Sequence, residues 1–149
     1  MALSQALKTN GVEFQRGDGA TTEVFTTVGE VVDFDGPGGE AAEIECTHLL
    51  SDAVEVMVGL PDEGNFTINC NLVPGDTAQT GLRTDRDNGT RRNFKLKLSD
   101  LDGGVSPTTL AFAAYVKGFK INGQANGKIA ASVTLRVSGP VTWTARVAA

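Results

Sequence analysis

The side chains best suited to chemistry in this 149-residue chain gather around its single histidine, His48, with Cys46 before it and Asp52 after it. A Cys-x-His pair offers two donors. A zinc site needs four at a recognisable spacing, such as a second pair downstream, and none follows. His48 is therefore expected as a polar residue beside a loop. A nucleophilic triad would have to be improvised from Ser51 or Ser132 with that one imidazole. The stretch "GPGGE", 36–40, has the glycines of a phosphate cradle. It lacks a Lys-Ser/Thr pair and opens no helix, so it reads as a turn. "DRDNGT", from Asp85, begins like a calcium loop, but Leu96 occupies the position where a bidentate glutamate belongs. A helix end running into a turn accounts for it. Glu43 and Glu45 share a strand face, with nothing in the sequence to hold a proton on either. The expectation is no enzyme: no catalytic residue, no cofactor and no metal.

Composition narrows the classes further. High glycine, with Val and Thr favoured over Leu, Glu and Lys, points to strands and turns. The net charge of −5 argues against a protein that grips nucleic acid through its phosphates, which requires a basic face, and no basic run exceeds Arg91-Arg92. The start, "MALSQALKTNGVEF", is not a signal peptide, and no apolar run approaches the roughly 18 residues of a membrane helix. Neither secretion nor membrane binding is expected. Cys46 and Cys70 are then expected to be reduced and to serve as small hydrophobic residues in strands.

The elements that would position any site are mostly strands. "VEFQ" and "TEVFTTVGEVVDF" flank Gly17-Asp18-Gly19, expected as a tight hairpin. "AAEIEC" alternates, and "NFTINCNL" alternates cleanly, with Phe66, Ile68, Cys70 and Leu72 inward. "NFKLKL" and "IAASVTLRVSG" repeat the pattern. "TLAFAAYVKGFKI" is apolar on both faces as far as Lys117 and is expected to be covered on both sides. One segment, 76–88, reads as helical: Asp76 caps it, Ala78 and Leu82 share a face, and Asn88-Gly89 ends it. The predicted fold is a single mainly β domain, 1–149. It is a sandwich or barrel of two antiparallel sheets with one short flanking helix and a long inter-strand arm.

That arm is the anomaly. "CTHLLSDAVEVMVGLPDEGNF" carries Leu49, Leu50, Val54, Val56, Met57, Val58 and Leu60, relieved only by Asp52 and Glu55. Left in water, such a hairpin exceeds the few hundred Å² of apolar patch that monomers tolerate. Either it folds back over a sheet as a lid, or it extends onto a neighbouring subunit.

Three ordered pieces carry a resemblance: "FQRGDGATTEVFTTVGEV", "DGPGGEAAEIECTHLLSDAVEVMVGLPDEGNFTINCNL" and "FKINGQANGKIAASVTLRVSGPVTW". Together, over about 12–143, they resemble the tail tube proteins of long, non-contractile-tailed bacteriophages. The resemblance implies a β-sandwich flanked by a helix, six copies in a ring and rings stacked into a tube that conducts DNA during ejection. It implies that 47–64 is the loop reaching the adjacent ring, with 1–11 as an N-terminal arm. It also implies a virion protein assembled in the host bacterial cytoplasm. Its partners would be copies of itself and the tape measure, tail terminator and tail tip proteins, with DNA only in passage. Some relatives carry a further immunoglobulin-like domain; this chain ends six residues past Trp143, so a smooth tube exterior is expected.

A channel for sliding DNA should not hold phosphates, and six copies at −5 each make an acidic tube. The lumen candidates are the polar faces free of Lys and Arg: Glu43, Glu45, Thr67, Asn69 and Asn71. Lys95, Lys97 and Arg136 are expected elsewhere. The alternatives are a tube protein of a contractile or secretion-type injection machine, and a non-polymerising β-barrel that binds an apolar ligand beneath the hairpin.

Overall fold

A computed structural model describes residue 4, residues 6–101 and residues 103–148 of the chain. The ten strands are β1 (Glu13–Gly17), β2 (Phe25–Thr27), β3 (Val31–Asp35), β4 (Ala41–Glu45), β5 (Val56–Pro61), β6 (Asn65–Asn71), β7 (Arg91–Lys97), β8 (Thr109–Asn122), β9 (Ala130–Val137) and β10 (Thr142–Thr144). The one helix among the described residues, α1, spans Thr77–Asn88 and lies between β6 and β7. Of the N-terminal arm expected at 1–11, residues 1–3 and 5 lie outside the described residues.

Eight strands form one antiparallel sheet in the order β2-β1-β7-β8-β9-β6-β3, with β10 also on β8; β4 and β5 form a separate pair. The sandwich arises because β8 is shared. Its first half pairs with β7, from Thr109↔Lys97 to Tyr115↔Arg91, and its second half pairs with β9, from Ala114↔Val137 to Asn122↔Ala130. A register shift between Val116 and Gly118 marks the bend, as bulges do. The two wings therefore face each other. Phe14 of β1 stacks on Phe66 of β6 at 5.1 Å between ring centroids, and Phe14 meets Phe94 at 5.4 Å. Alternation supplies this core: Phe66, Ile68 and Cys70 are buried, as are Phe94 and Leu96, and Ala131, Val133, Leu135 and Val137.

Three local expectations need correction. The β1–β2 connection is not a tight hairpin but runs through residues 18–24. The Asp18 carboxylate accepts the amides of Ala20 and Val24 and so organises a longer loop. Strand β8 is covered on both sides from Leu110 to Ala114, but not as far as Lys117, because Tyr115 is exposed. Cys46 lies just past β4 and is exposed, whereas Cys70 is the core residue expected. Burial pushes the Cys70 thiol up, with Asp76 and Glu30 adding to it.

Helix α1 follows its predicted caps. Asp76 accepts from the Ala78 amide, and Gly89 closes the helix in the left-handed conformation, φ 66°, its N–H reaching the Asp85 carbonyl. Its buried face is Ala78, Gln79, Leu82 and Asp85. Gln79 accepts from the Val73 amide and donates to the carbonyls of Gly29 and Asn71, so the helix start is tied to the end of β6. Asp85, 1% exposed, receives Arg16 at 2.7 and 2.9 Å through Nε and Nη2, and Arg92 Nε at 3.0 Å. Arg92 also donates to the Asp18 carbonyl. Gly81 sits mid-helix, where glycine costs about 1 kcal/mol relative to alanine. The reason is steric: a Cβ there would lie 2.6 Å from the Arg16 guanidinium.

Candidate assembly arm and channel face

Strands β4 and β5 pair only with each other, from Glu45↔Val56 to Ala41↔Pro61, and carry the hairpin away from the main sheet. At its tip, Glu55 organises the turn. Its amide donates to Thr47 Oγ1 at 2.9 Å, while its carboxylate takes the Ser51 hydroxyl at 2.6 Å and lies 3.3 Å from His48 Nε2. The Leu50 amide donates to His48 Nδ1, and Cys46 N–H to the Glu55 carbonyl. The candidates for chemistry around His48 are thus spent on holding a turn.

That turn presents leucines to solvent. Leu49 is 103% exposed, Leu50 87% and Leu60 89%, and Val54, Val56, Met57 and Val58 are all exposed. A lid would bury these side chains against its own sheet, and none of them is buried. The arm is apolar and uncovered in the single copy.

Its base is tightly built. The "GPGGE" stretch, read from sequence as a plain turn, forms one leg of that base. Gly38 N–H bonds to the Glu63 carbonyl, and Asp62 N–H to the Glu40 carbonyl. The legs pass so closely that a Cβ on Gly39 would lie 1.7 Å from the Asp62 carbonyl oxygen. Arg136 at the end of β9 grips Asp62 at 2.8 Å. That hydrogen bond, helped by the Gly64 amide, holds the Asp62 carboxyl below its ordinary value. Glycines on both flanks of the apolar run, Gly39 and Gly64, were the sequence signal for this base.

The five channel candidates do not share a surface. Thr67, Asn69 and Asn71 alternate with the buried positions of β6 and project outward from the β9-β6-β3 wing. Glu43 and Glu45 belong to the other sheet, on β4 of the arm, because the chain leaves the main sheet after β3 and returns only at β6. The β6 face is extended instead by residues sequence reasoning missed. Asp33 and Asp35 pair opposite Asn69 and Thr67, and Ser132 and Thr134 lie opposite the same two on the other side. Asn69 donates to Asp33 at 2.6 Å and Asn71 to Glu30 at 3.3 Å. Cross-strand pairing was the missing information. Lys95 and Lys97 lie on β7 in the opposite wing, with Lys95 over the Phe25 ring at 4.2 Å. But Arg136, expected elsewhere, shares the outward face of β9 with Ser132 and Thr134, and Lys120 lies opposite Ser132, because alternation along β9 and its pairing with β8 put them there.

A family model described as phage tail tube, TTP, lambda-like, matches residues 5–147. The chain belongs to the lambda-like phage tail tube family. It is thus a β-rich structural protein of the phage virion, as the resemblance implied. Among solved structures, the tail-tube chain resembles the sheath/tube terminator of an extracellular contractile injection system, PVC, in its extended state. That match has 16% identity, covers 97% of this chain and all of the other, and has a TM-score of 0.72. It also resembles the SPP1 tail tube, at 15% identity over 91% of this chain and 77% of that one, with a TM-score of 0.66. A chain from the virion of a native gene transfer agent particle matches at 14% identity, 94% and 100% coverage, and a TM-score of 0.71. At these identities the likeness is one of fold. No curated protein matches the chain.

Proposed function

We propose that this tail tube protein polymerises through its arm. Six copies close into a ring, and each arm reaches a copy in the next ring, so that stacked rings form the conduit for DNA. The observation that carries this is the arm itself, an ordered hairpin whose leucines are almost fully in water. Burying about 400 Å² of such surface per arm contributes roughly 10 kcal/mol before ordering losses. The heterologous ring contact closes and the stacking contact stays open. The SPP1 and gene transfer agent neighbours come from a tail tube and a virion, which supports the same use of the fold here.

The channel wall in this reading is the outward face of β6 with its neighbours: Thr67, Asn69, Asn71, Ser132 and Thr134, bordered by Asp33 and Asp35. Hydroxyls, amides and carboxylates outnumber the cations of this face, which are Lys120 opposite Ser132 and Arg136, itself paired with Asp62, so duplex DNA is not held by its phosphates and slides. The role requires no catalysis. It does require a terminator, tip proteins and a tape measure, met during assembly in the host cytoplasm. Negative-stain microscopy and sedimentation of the purified chain test the polymer: hollow tubes are expected, and a monomer at high concentration would sink it. Asn69→Lys tests the wall by placing an ammonium on each subunit's channel face. DNA retention in such tubes is expected, and passage like that of the unaltered tube would remove β6 from the lumen.

A further inference from the structure

An arm that extends to another copy needs a seat there, and resting on the polymer reading above, the charge and placement of one groove identify it. Between Arg16 and Arg83 the chain has no Lys or Arg at all. The arm falls inside this stretch, so its apolar tip is flanked by Glu43, Glu45, Asp52 and Glu55 with no compensating cation of its own. The basic residues begin on α1. There a groove of about 280 Å³ opens between the helix and the second half of β8, lined by Val73, Gln79, Arg83, Arg86, Phe119 and Ile121. Its floor is apolar. Ile121 is 58% exposed, and Ile129 nearby, which bonds Leu72 through its carbonyl, is 59% exposed. Its rim carries the exposed guanidiniums of Arg83 and Arg86; the neighbour of Arg86 is Asp87 at 3.3 Å, itself exposed.

Placement supports the match. The arm joins β6 at Asn65, which pairs with Arg136 near the end of β9. The groove lies past the other end of the same strand, beyond Asn71↔Ala130, where Leu72 and Val73 lead into the helix. Seven residues of β6 separate them, about 20 Å at 3.3 Å per residue. An acidic apolar projection at one end and a basic apolar groove at the other are the two halves of a head-to-tail contact. Such a contact repeats without closing.

We propose that the groove between α1 and β8 is the seat for the arm tip of a second copy. Leu49 and Leu50 enter it, and Arg83 and Arg86 face the carboxylates of Asp52 and Glu55. Opposite charges at this rim set the direction of stacking and reject a copy presented groove to groove, where four guanidiniums would meet.

The test is charge exchange in the full chain. Arg83→Glu with Arg86→Glu is expected to keep the native β-sheet circular dichroism and to raise the concentration needed for tubes about tenfold or more. Asp52→Arg with Glu55→Arg is expected to do the same, and all four changes together to restore assembly. Glu55 also holds the tip turn, so a mixing experiment stands beside the exchange. Chains with Leu50→Asp keep the groove but not the arm contact, and Arg83→Glu/Arg86→Glu chains keep the arm. Mixed, they are expected to form pairs by sedimentation that neither forms alone, because one intact arm meets one intact groove and no further contact is open. Tubes from Arg83→Glu/Arg86→Glu at the unaltered concentration would overturn the groove assignment while leaving the polymer intact. So would a mixture that sediments as its separate parts. Failure of the unaltered chain to assemble would instead strike the polymer reading.

Discussion

Leu60→Asp separates assembly from folding. Leu60 lies on β5 of the arm and is 89% exposed in the single copy, so nothing in the chain's own core depends on it. Substitution at such a site changes folding stability by about 0.5 kcal/mol or less. In the proposed polymer the same position is covered. Losing a buried leucine costs about 2 kcal/mol of transfer energy, and enclosing a carboxylate without a partner adds at least as much again. A loss near 4 kcal/mol per contact lowers the association constant about a thousandfold. The effect multiplies around a ring, because every subunit carries the change. Circular dichroism melts should therefore match those of the unaltered chain under conditions that keep both apart, while sedimentation velocity and negative-stain microscopy show no tubes. Tubes of ordinary length from the Leu60→Asp chain would refute the reasoning, since an exposed acid would then sit at a position the tube leaves in water.

Other perturbations probe the scaffold. Asp85→Ala leaves Arg16 and Arg92 facing each other without their shared carboxylate, and is expected to destabilise by about 3 kcal/mol or more in urea titration. Gly39→Ala forces a methyl onto the Asp62 carbonyl; the arm base should lose hydrogen-exchange protection at Asp62 while the core amides of β6 and β9 keep theirs. Acid should weaken the fold through three aspartates held below their ordinary value of 3.8: Asp18 by the Ala20 and Val24 amides, Asp62 by Arg136, and Asp100 by the Thr108 hydroxyl and amide. Their stabilisation is complete above that value and is lost as pH falls through the lower folded values. The thermal midpoint of the Leu60→Asp chain should therefore be level down to about pH 5 and drop below 4. A midpoint unchanged at pH 3 would contradict it.

Much of the fold was legible because its signals are local. Period-two alternation at Phe66, Ile68 and Cys70 and at Val133, Leu135 and Val137 names the inner face of each strand without knowing its neighbours. Asp76 and Gly89 bracket α1 by satisfying the helix's own free amides and carbonyls. The greasy run from Leu49 to Leu60 stands out because no strand or helix period absorbs it. Ordered pieces spread over most of the chain were enough to suggest the family.

What stayed hidden depends on contacts distant in sequence. Asp85 looked like the opening of a calcium loop or a plain helix end, because Arg16, which neutralises it, lies 69 positions away. Glu43 and Glu45 looked like companions of Thr67, Asn69 and Asn71, because alternation reports a face but not which sheet the face belongs to. Only strand pairing brought Asp33 and Ser132 beside Asn69 and left the two glutamates on the arm. The choice between lid and extension was likewise tertiary: the same leucines are compatible with either, and the tight glycine base between β3 and β6 aims them outward. Sequence set which residues seek cover; the path of the chain through space set that their own subunit does not provide it.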